Sequence, residues 1–144
     1  MTTPFTLKRH YPIKVEYWAS EDAVVQPAEL DTSYAVSLGS NTASPLDWRV
    51  ALIVKFSAKS EKKEIARGEV VFVGYFGIPD NVPESDRQKT VGQIGASVLY
   101  NATRELIANL TCRSTNRHIT LPLTSFHDLK FDPNAAKEVI EAQI

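Results

Sequence analysis

The stretch TVGQIGASVLYNATRELIANLTCR, residues 90–113, is the longest helix-compatible run in the chain. Its apolar residues recur every four positions, a spacing typical of one helical stripe: Ile94, Val98, Ala102, Leu106 and Leu110. A helix of about 20 residues is roughly 30 Å long, enough to cross a whole sheet. Small residues such as Gly95 allow another backbone to approach closely. The run therefore predicts a long helix that packs its Ala102–Leu106–Leu110 side onto a sheet.

The first half of the chain shows the period of β-strands. In FTLKRHYPIKVEYW, residues 5–18, every second residue from Phe5 to Tyr17 is mostly apolar, as in a half-buried strand. Pro12 cannot donate to a ladder, which predicts an edge position or a bulge. Further alternating segments follow at 34–40, 48–56 and 65–78, and the polar stretch 57–64 predicts a hairpin tip. Four antiparallel strands are the simplest arrangement.

The end of the chain predicts a second, shorter helix. The stretch STNRHITLPLTSFHD, residues 114–128, is expected to be extended, because Pro122 disfavours a helix. Asp132 can then cap a last helix with Pro133 at its first position. The element order predicts an α+β fold: a four-stranded antiparallel sheet with a long helix and a shorter C-terminal helix on one side. Residues 1–144 are expected to form one domain.

Composition excludes several partner classes. The 144 residues carry 16 basic and 17 acidic side chains, a formal charge of −1, without the basic excess of nucleic-acid-binding domains. Cys112 is the only cysteine, which excludes an intramolecular disulfide and favours a reducing compartment. There is no signal-peptide pattern and no apolar run long enough to span a membrane. We expect a cytoplasmic protein without membrane insertion.

The sequence offers no combination of residues for catalysis. Its three histidines, His10, His118 and His127, fall in three different elements, and Cys112 adds a single thiol, so no metal site is predicted. Cys112 sits near the end of the long helix, a position that does not lower a thiol pKa. Phosphate-loop and dinucleotide motifs are missing as well. We therefore expect neither an enzyme nor a cofactor.

Large apolar side chains stand near strand ends and in the extended stretch, where water is expected. They are Trp18, Trp48, Tyr75, Phe76, Phe126 and Phe131. In a chain without catalytic residues, this pattern suggests a surface that binds other chains. The alternative is that they seal the edges of the core, as they would in a purely structural oligomerisation module.

Several local strings resemble the SecB family of export chaperones. The stretch VGQIGASVLYNATRELIANLTCRSTNRHITLPLTSFHDL, residues 91–129, is similar to the long helix and following segment of that family. FTLKRHY at residues 5–11 resembles its first strand, and GEVVFVGYFGI at 68–78 resembles its fourth. The matching positions in the longest stretch are Leu99, Tyr100, Arg104, Glu105, Arg113, Thr115, Leu121, Pro122, Phe126 and Leu129. The resemblance covers nearly the whole chain.

The resemblance implies a SecB-like sheet with a crossing β1–β2 connection, and a chaperone that holds unfolded polypeptides in apolar grooves. By position, the client-binding groove would comprise Leu30, Tyr34, Val36, Phe76, Ile78, Phe126, Leu129 and Phe131. It also implies self-association to a dimer or to a tetramer built as a dimer of dimers. We expect a flank of the long helix to form that interface, through Arg104, Glu105, Asn109 and Cys112, with Arg104 bound to a carboxylate or a backbone carbonyl.

Departures from the family concern the hand-off to an export partner. Export members present acidic side chains on the sheet for the translocase motor SecA, but Lys14 and Trp18 occupy two of those positions. Of the matched set only Glu69 remains acidic. A like charge or a bulky indole opposes such docking, so we predict weak or absent SecA binding. The chain would then either serve export or guard one unstable partner, such as the antitoxin of a toxin–antitoxin module.

A thioesterase-like alternative also remains open. A long helix wrapped by an antiparallel sheet describes the hotdog fold of thioester hydrolases and binders. Such a protein needs an acid or a polar catalytic group near the start of the central helix, and TVGQIGAS, residues 90–97, offers only Gln93 and Ser97.

Overall fold

The computed structural model describes residues 5–21, 29–112 and 119–126. Four strands precede one helix: β1 (Thr6–Ala19), β2 (Glu29–Ser40), β3 (Asp47–Ser60), β4 (Lys63–Gly77) and α1 (Glu84–Thr111). The strands form one antiparallel sheet in the order β1-β4-β3-β2. The α+β fold with a four-stranded antiparallel sheet is thus confirmed. Because β1 and β2 are opposite edges, the connection between them must cross the sheet, as the resemblance implied.

Helix α1 lies on one face of the sheet, and the core fills the space between them. Antiparallel partners share a face, so β3 and β4 contribute matching residues to this side: Val50, Leu52, Val54, Phe56, Val70, Phe72 and Phe76, all buried. The helix adds Val91, Ala96, Leu99 and Ile107. A Cβ on Gly95 would lie 2.8 Å from Val50 Cγ2. The small residue therefore sets the close approach of helix and sheet.

The side of α1 that faces the sheet differs from the predicted one. Ile94 and Leu110 are 40% and 38% exposed, and Leu106 is only partly buried. Successive residues of an α-helix are about 100° apart around its axis, so a row shifted by one residue points to a different side. The buried row is shifted by one residue from the predicted one and runs through Val91, Gly95, Leu99, Thr103, Ile107 and Thr111. The prediction that Leu110 packs onto the sheet was wrong for this reason.

The helix also begins earlier than the composition suggested. It starts at Glu84, directly after Pro83, whereas the sequence placed its start near Thr90. Glu84 and Asp86 stand in the first turn, where carboxylates interact favourably with the helix dipole. The backbone N–H of Asp86 donates to the Pro83 carbonyl at 2.9 Å. The prediction was based on the spacing of apolar residues, and this first turn consists mainly of polar residues, so its helical structure left no signal in that spacing.

Strand β1 changes face along its length. Its register with β4 shifts between Leu7 and Arg9 and again between Pro12 and Lys14. Such bulges insert a residue and reverse the alternation, so Tyr11 stands opposite Val73 while Tyr17 stands opposite Gly68. The prediction of a single apolar face from Phe5 to Tyr17 was therefore wrong. The prediction for Pro12 is confirmed, since it lies on an edge strand and beside a bulge.

The β3–β4 connection is a two-residue turn at the predicted hairpin tip. Glu61 and Lys62 have positive φ angles of 51° and 66°. Two such residues give the twist of a type I′ turn, which matches the right-handed twist of long strands. The strands therefore continue to Ser60 and from Lys63, further than the charged composition suggested.

The predicted C-terminal helix, with Asp132 and Pro133 at its start, lies outside the described residues. Within the described ranges, no helix is long and apolar enough to cross a membrane. The same residues contain no group of three or more side chains suited to a metal ion.

Candidate functional site

Three aromatic rings meet where β2, α1 and the segment 119–126 come together. We call Tyr34, Tyr100 and Phe126 the aromatic cluster. The ring of Phe126 lies 4.9 Å from that of Tyr34 and 5.4 Å from that of Tyr100, both edge to face, a favoured aromatic geometry. Phe126 and Tyr100 are buried, but Tyr34 is 42% exposed. The cluster therefore fixes one exposed aromatic side chain on an edge strand.

The segment 119–126 has no regular secondary structure and is held against α1 by side chains. The hydroxyl of Tyr100 donates to the Pro122 carbonyl at 2.5 Å, and Arg104 Nε donates to the Leu121 carbonyl at 2.9 Å. Thr111 Oγ1 accepts the Ile119 N–H at 2.8 Å and donates to the Ile107 carbonyl. Buried backbone groups that lack a ladder need such partners.

The buried position of Tyr100 affects the protonation of its phenol. Burial raises its pKa, against the opposing effect of the Arg104 charge. The neutral hydroxyl therefore persists as the donor that binds Pro122. These contacts position Leu121 and Phe126 in the core while leaving Leu123 83% exposed.

An open groove of about 360 Å³ runs beside the cluster, between α1 and the segment 119–126. Its walls include Ile94 and Val98 from the helix and Phe126 from the segment, and polar side chains of Gln93, Ser97, Asn101 and Ser125 complete it. Phe126 thus contacts both the cluster and the groove. Together they form a surface that joins apolar area to hydrogen-bonding groups, as small binding sites do.

The residues predicted for the client-binding groove fall into three groups. Leu30, Tyr34 and Val36 lie on β2, on the face that carries α1, and are exposed or partly buried. Phe76, Ile78 and Phe126 are buried, with exposures of 0%, 2% and 1%. Leu129 and Phe131 lie outside the described residues. The structure therefore brings Tyr34 and Phe126 together, whereas Phe76 and Ile78 belong to the core beneath.

The residues predicted for the oligomer interface lie on the outer side of α1. Glu105, Asn109 and Cys112 are exposed, and the Cys112 thiol is free. Arg104 is partly buried, and its hydrogen bond to the Leu121 carbonyl agrees with the expectation of a backbone carbonyl partner. That carbonyl belongs to the same chain, so Arg104 also fixes the segment 119–126.

The face of the sheet that does not carry α1 is here called the far face; Lys14, Trp18 and Glu69 lie on it. Lys14 Nζ lies 2.5 Å from Glu69 Oε2, and Lys55 Nζ lies 3.8 Å from Oε1 of the same carboxylate. The hydrogen bond from Lys14 lowers the pKa of Glu69 and raises that of Lys14. The indole of Trp18 is covered by the Arg67 guanidinium, 4.8 Å from its ring centre. The one remaining acidic position is therefore neutralised.

The two residues of the thioesterase-like alternative stand one turn apart on α1, in the wall of the groove. The Ser97 hydroxyl donates to the Gln93 backbone carbonyl at 2.8 Å. The Ser97 hydroxyl is thus hydrogen-bonded within its own helix.

Ile94 and Leu123 were not predicted as surface residues, and Tyr100 was not predicted to fix the segment 119–126. Ile94 was predicted to belong to the apolar stripe that packs on the sheet. Leu123 lies in a part of the sequence where apolar residues have no regular spacing. Tyr100 and Pro122 are 22 residues apart, and no local pattern connects them. The only available hint was Pro122, which disfavours a helix and predicted an extended segment there.

No protein-family model and no curated protein matches the sequence. Among solved structures, the chain is similar to the Mycobacterium tuberculosis Rv1957 SecB-like chaperone in complex with a ChAD peptide from the Rv1956 HigA1 antitoxin. The TM-score is 0.70 at 16% identity, covering 85% of this chain and 91% of that one. A Streptococcus agalactiae protein of unknown function has a TM-score of 0.42 at 13% identity, covering 85% and 99%. The first similarity shows that this chain has the fold of a SecB-like chaperone.

Proposed function

We propose that the protein is a chaperone that holds unfolded or partly folded polypeptides on the surface formed by the aromatic cluster and the adjacent groove. The observation that carries this proposal is Tyr34, an exposed aromatic ring packed edge to face against buried Phe126 and Tyr100 beside an open groove with an uncharged lining of apolar and polar side chains. Rigid aromatic side chains provide large contact area at low entropy cost. A surface without charged side chains in its lining would bind by burial and backbone contacts, without selecting one sequence.

The groove residues carried over from the resemblance form part of the same proposal. Leu30 and Val36 flank Tyr34 on β2, whereas Leu129 and Phe131 lie outside the described residues and stay predictions from the resemblance. Phe76 and Ile78 would support the surface from below. A peptide from an antitoxin occupies the Mycobacterium tuberculosis chaperone, which supports a polypeptide as the ligand class.

A specialised guarding role is favoured over export. An export motor that seeks acidic side chains would meet Lys14, Trp18 and a Glu69 already bound by Lys14. We therefore propose weak or absent SecA binding and a client such as an antitoxin, in the cytoplasm, where an exposed free thiol at Cys112 stays reduced.

Replacing Tyr34 by serine is expected to weaken client binding about tenfold, the typical loss for an anchoring aromatic side chain. The measurement is fluorescence anisotropy with a labelled, uncharged apolar peptide, together with light scattering of an aggregating unfolded protein. Trp18→Ser is the matched control, because Trp18 is a large aromatic side chain that is 43% exposed but lies on the far face. We expect its affinity to stay within about twofold of wild type. Failure of the wild-type protein to bind any unfolded chain would show the proposal to be wrong.

We also propose self-association to a dimer or tetramer through the outer side of α1, with Glu105, Asn109 and Cys112 at the interface and Arg104 at its border. The helix leaves Ile94 and Leu110 exposed, and the β1 edge adds Ile13, 50% exposed, to the uncovered apolar area. Exposed apolar positions on a long helix and a long edge strand are typical of surfaces covered by another copy.

Leu110→Glu is expected to shift the assembly towards smaller species at micromolar concentration, since burying a carboxylate without a partner is unfavourable. Sedimentation velocity measures the masses. Leu123→Glu adds the same charge at a position outside α1 and should leave the masses unchanged. Equal masses for wild type and Leu110→Glu would place the interface elsewhere.

A further inference from the structure

A basic and aromatic cluster occupies one end of the far face, opposite the face that carries α1. Arg9, Tyr75 and Arg49 stand side by side on β1, β4 and β3, and Tyr11 is next to them on β1. The Arg9 guanidinium lies 4.3 Å from the centre of the Tyr75 ring. Tyr11 and Arg49 both hydrogen-bond to the Tyr75 phenol, and the rings of Tyr11 and Tyr75 are 6.4 Å apart.

The two guanidinium groups make the cluster rich in hydrogen-bond donors. The hydrogen bond with Tyr75 raises the pKa of Tyr11. Burial raises the pKa of Tyr75, yet the bonds from Tyr11 and Arg49 and the nearby positive charges lower it overall. Guanidinium groups have donors and no acceptor, so Arg9 and Arg49 can bind a ligand only through its acceptor atoms.

The charge of the cluster is not balanced locally by described residues. Asp47, the described carboxylate on the neighbouring row, is bound by Lys8 at 2.5 Å. Arg9 forms no ion pair with any residue that the structure describes, and its contact with Tyr75 uses only the face of the guanidinium. The N–H groups on the edge of that plane stay available for a planar oxyanion, whose geometry they match. Arg49 is only 6% exposed, which weakens screening of its charge by water.

An apolar strip continues from the cluster along the far face. Val73 and Ala51 form the next row and are nearly covered, and Val71 and Ile53 follow on the same strands. An inorganic anion would contact only the arginines. A polypeptide in extended conformation would place a carboxylate on the arginines and, two and four residues later, apolar side chains on the strip.

We propose that this end of the far face binds an extended acidic peptide, with a carboxylate on the exposed guanidinium of Arg9, close to the charge of Arg49, and apolar side chains on Tyr11, Val71 and Ile53. The site lies on the face opposite the aromatic cluster and stands independently of the chaperone function. An acidic sheet face would bind a basic partner, whereas this site would bind an acidic peptide.

The test is the affinity of the full chain for a capped, labelled six-residue peptide with glutamate first, valine third and fifth, and serine elsewhere. We expect binding, and an affinity about tenfold lower when glutamine replaces the glutamate, as for loss of a charge-assisted hydrogen bond. Arg9→Gln should cause a similar loss. Arg9→Lys should restore part of it, because the charge remains while the planar pair of donors is lost.

The matched control is Lys89→Gln, which makes the same charge change at an exposed position on α1 and should stay within about twofold of wild type. Circular dichroism and thermal melting verify that the Arg9 variants fold. Equal binding of the glutamate and glutamine peptides, or equal affinity of the Arg9→Gln and Lys89→Gln variants, would overturn the proposal. So would inorganic phosphate that binds while the peptide does not.

Discussion

Replacing Phe76 by alanine is expected to lower the free energy of unfolding by about 3–5 kcal/mol, the usual range for a large aromatic side chain lost from a core. Phe76 is fully buried, its ring lies 5.6 Å from that of Phe5, and its Cε2 reaches within 3.2 Å of the Cβ position of Gly95. Phe76 also pairs with Leu7 of β1, so it connects β1, β4 and α1. Urea denaturation followed by circular dichroism measures the change in midpoint.

The same variant separates a core role for Phe76 from the groove role that the resemblance implies. A core residue changes stability, and any loss of client affinity should follow the fraction of unfolded protein. Tyr34→Ser provides the contrast, because it should weaken binding while costing less than about 1 kcal/mol at a half-exposed position. A Phe76→Ala protein that keeps its stability but loses client affinity would show instead that Phe76 contacts clients directly.

Gly95→Val is expected to destabilise the protein by about 2–3 kcal/mol, because overpacking forces the helix away from the sheet. A Cβ at this position meets Val50 Cγ2 at 2.8 Å and Phe76 Cε2 at 3.2 Å. Valine is stiff about χ1 and cannot move its methyl groups aside. The measurement is again the urea midpoint.

Ser97→Val is the control for helix propensity, because Ser97 is exposed two residues further along α1. It should cost well under about 1 kcal/mol. The double variant Gly95→Val with Val50→Ala removes the nearest opposing methyl group, so its destabilisation should be smaller than the sum of the two single effects. Additive effects would show that the Val50 contact does not set the distance between helix and sheet.

The candidate site illustrates where sequence patterns stop being informative. Tyr34 was predicted at the site by resemblance, and the structure places it beside Phe126. The third ring, Tyr100, lies on α1, so the cluster joins three elements that are distant in the chain. No periodicity relates such residues, because side chains on different elements meet only through the packing of helix on sheet. The Arg9–Tyr75–Arg49 row was not predicted for the same reason, since Arg9 and Arg49 looked like ordinary strand residues and Tyr75 was noted only as a large apolar side chain near a strand end.

The sequence by itself determined the number, type and order of the described elements, the antiparallel sheet and the edge position of Pro12. These features depend on short-range physics, namely the alternation of strands, the 3.6-residue period of helices and the missing N–H of proline. Only the tertiary structure decided which sides face inward. The bulge between Pro12 and Lys14 placed Tyr11 and Tyr17 on opposite faces, and the helix turned a row one residue away from the predicted stripe towards the sheet, which left Leu110 38% exposed. Register and helix rotation are set by contacts between elements, so local patterns do not fix them.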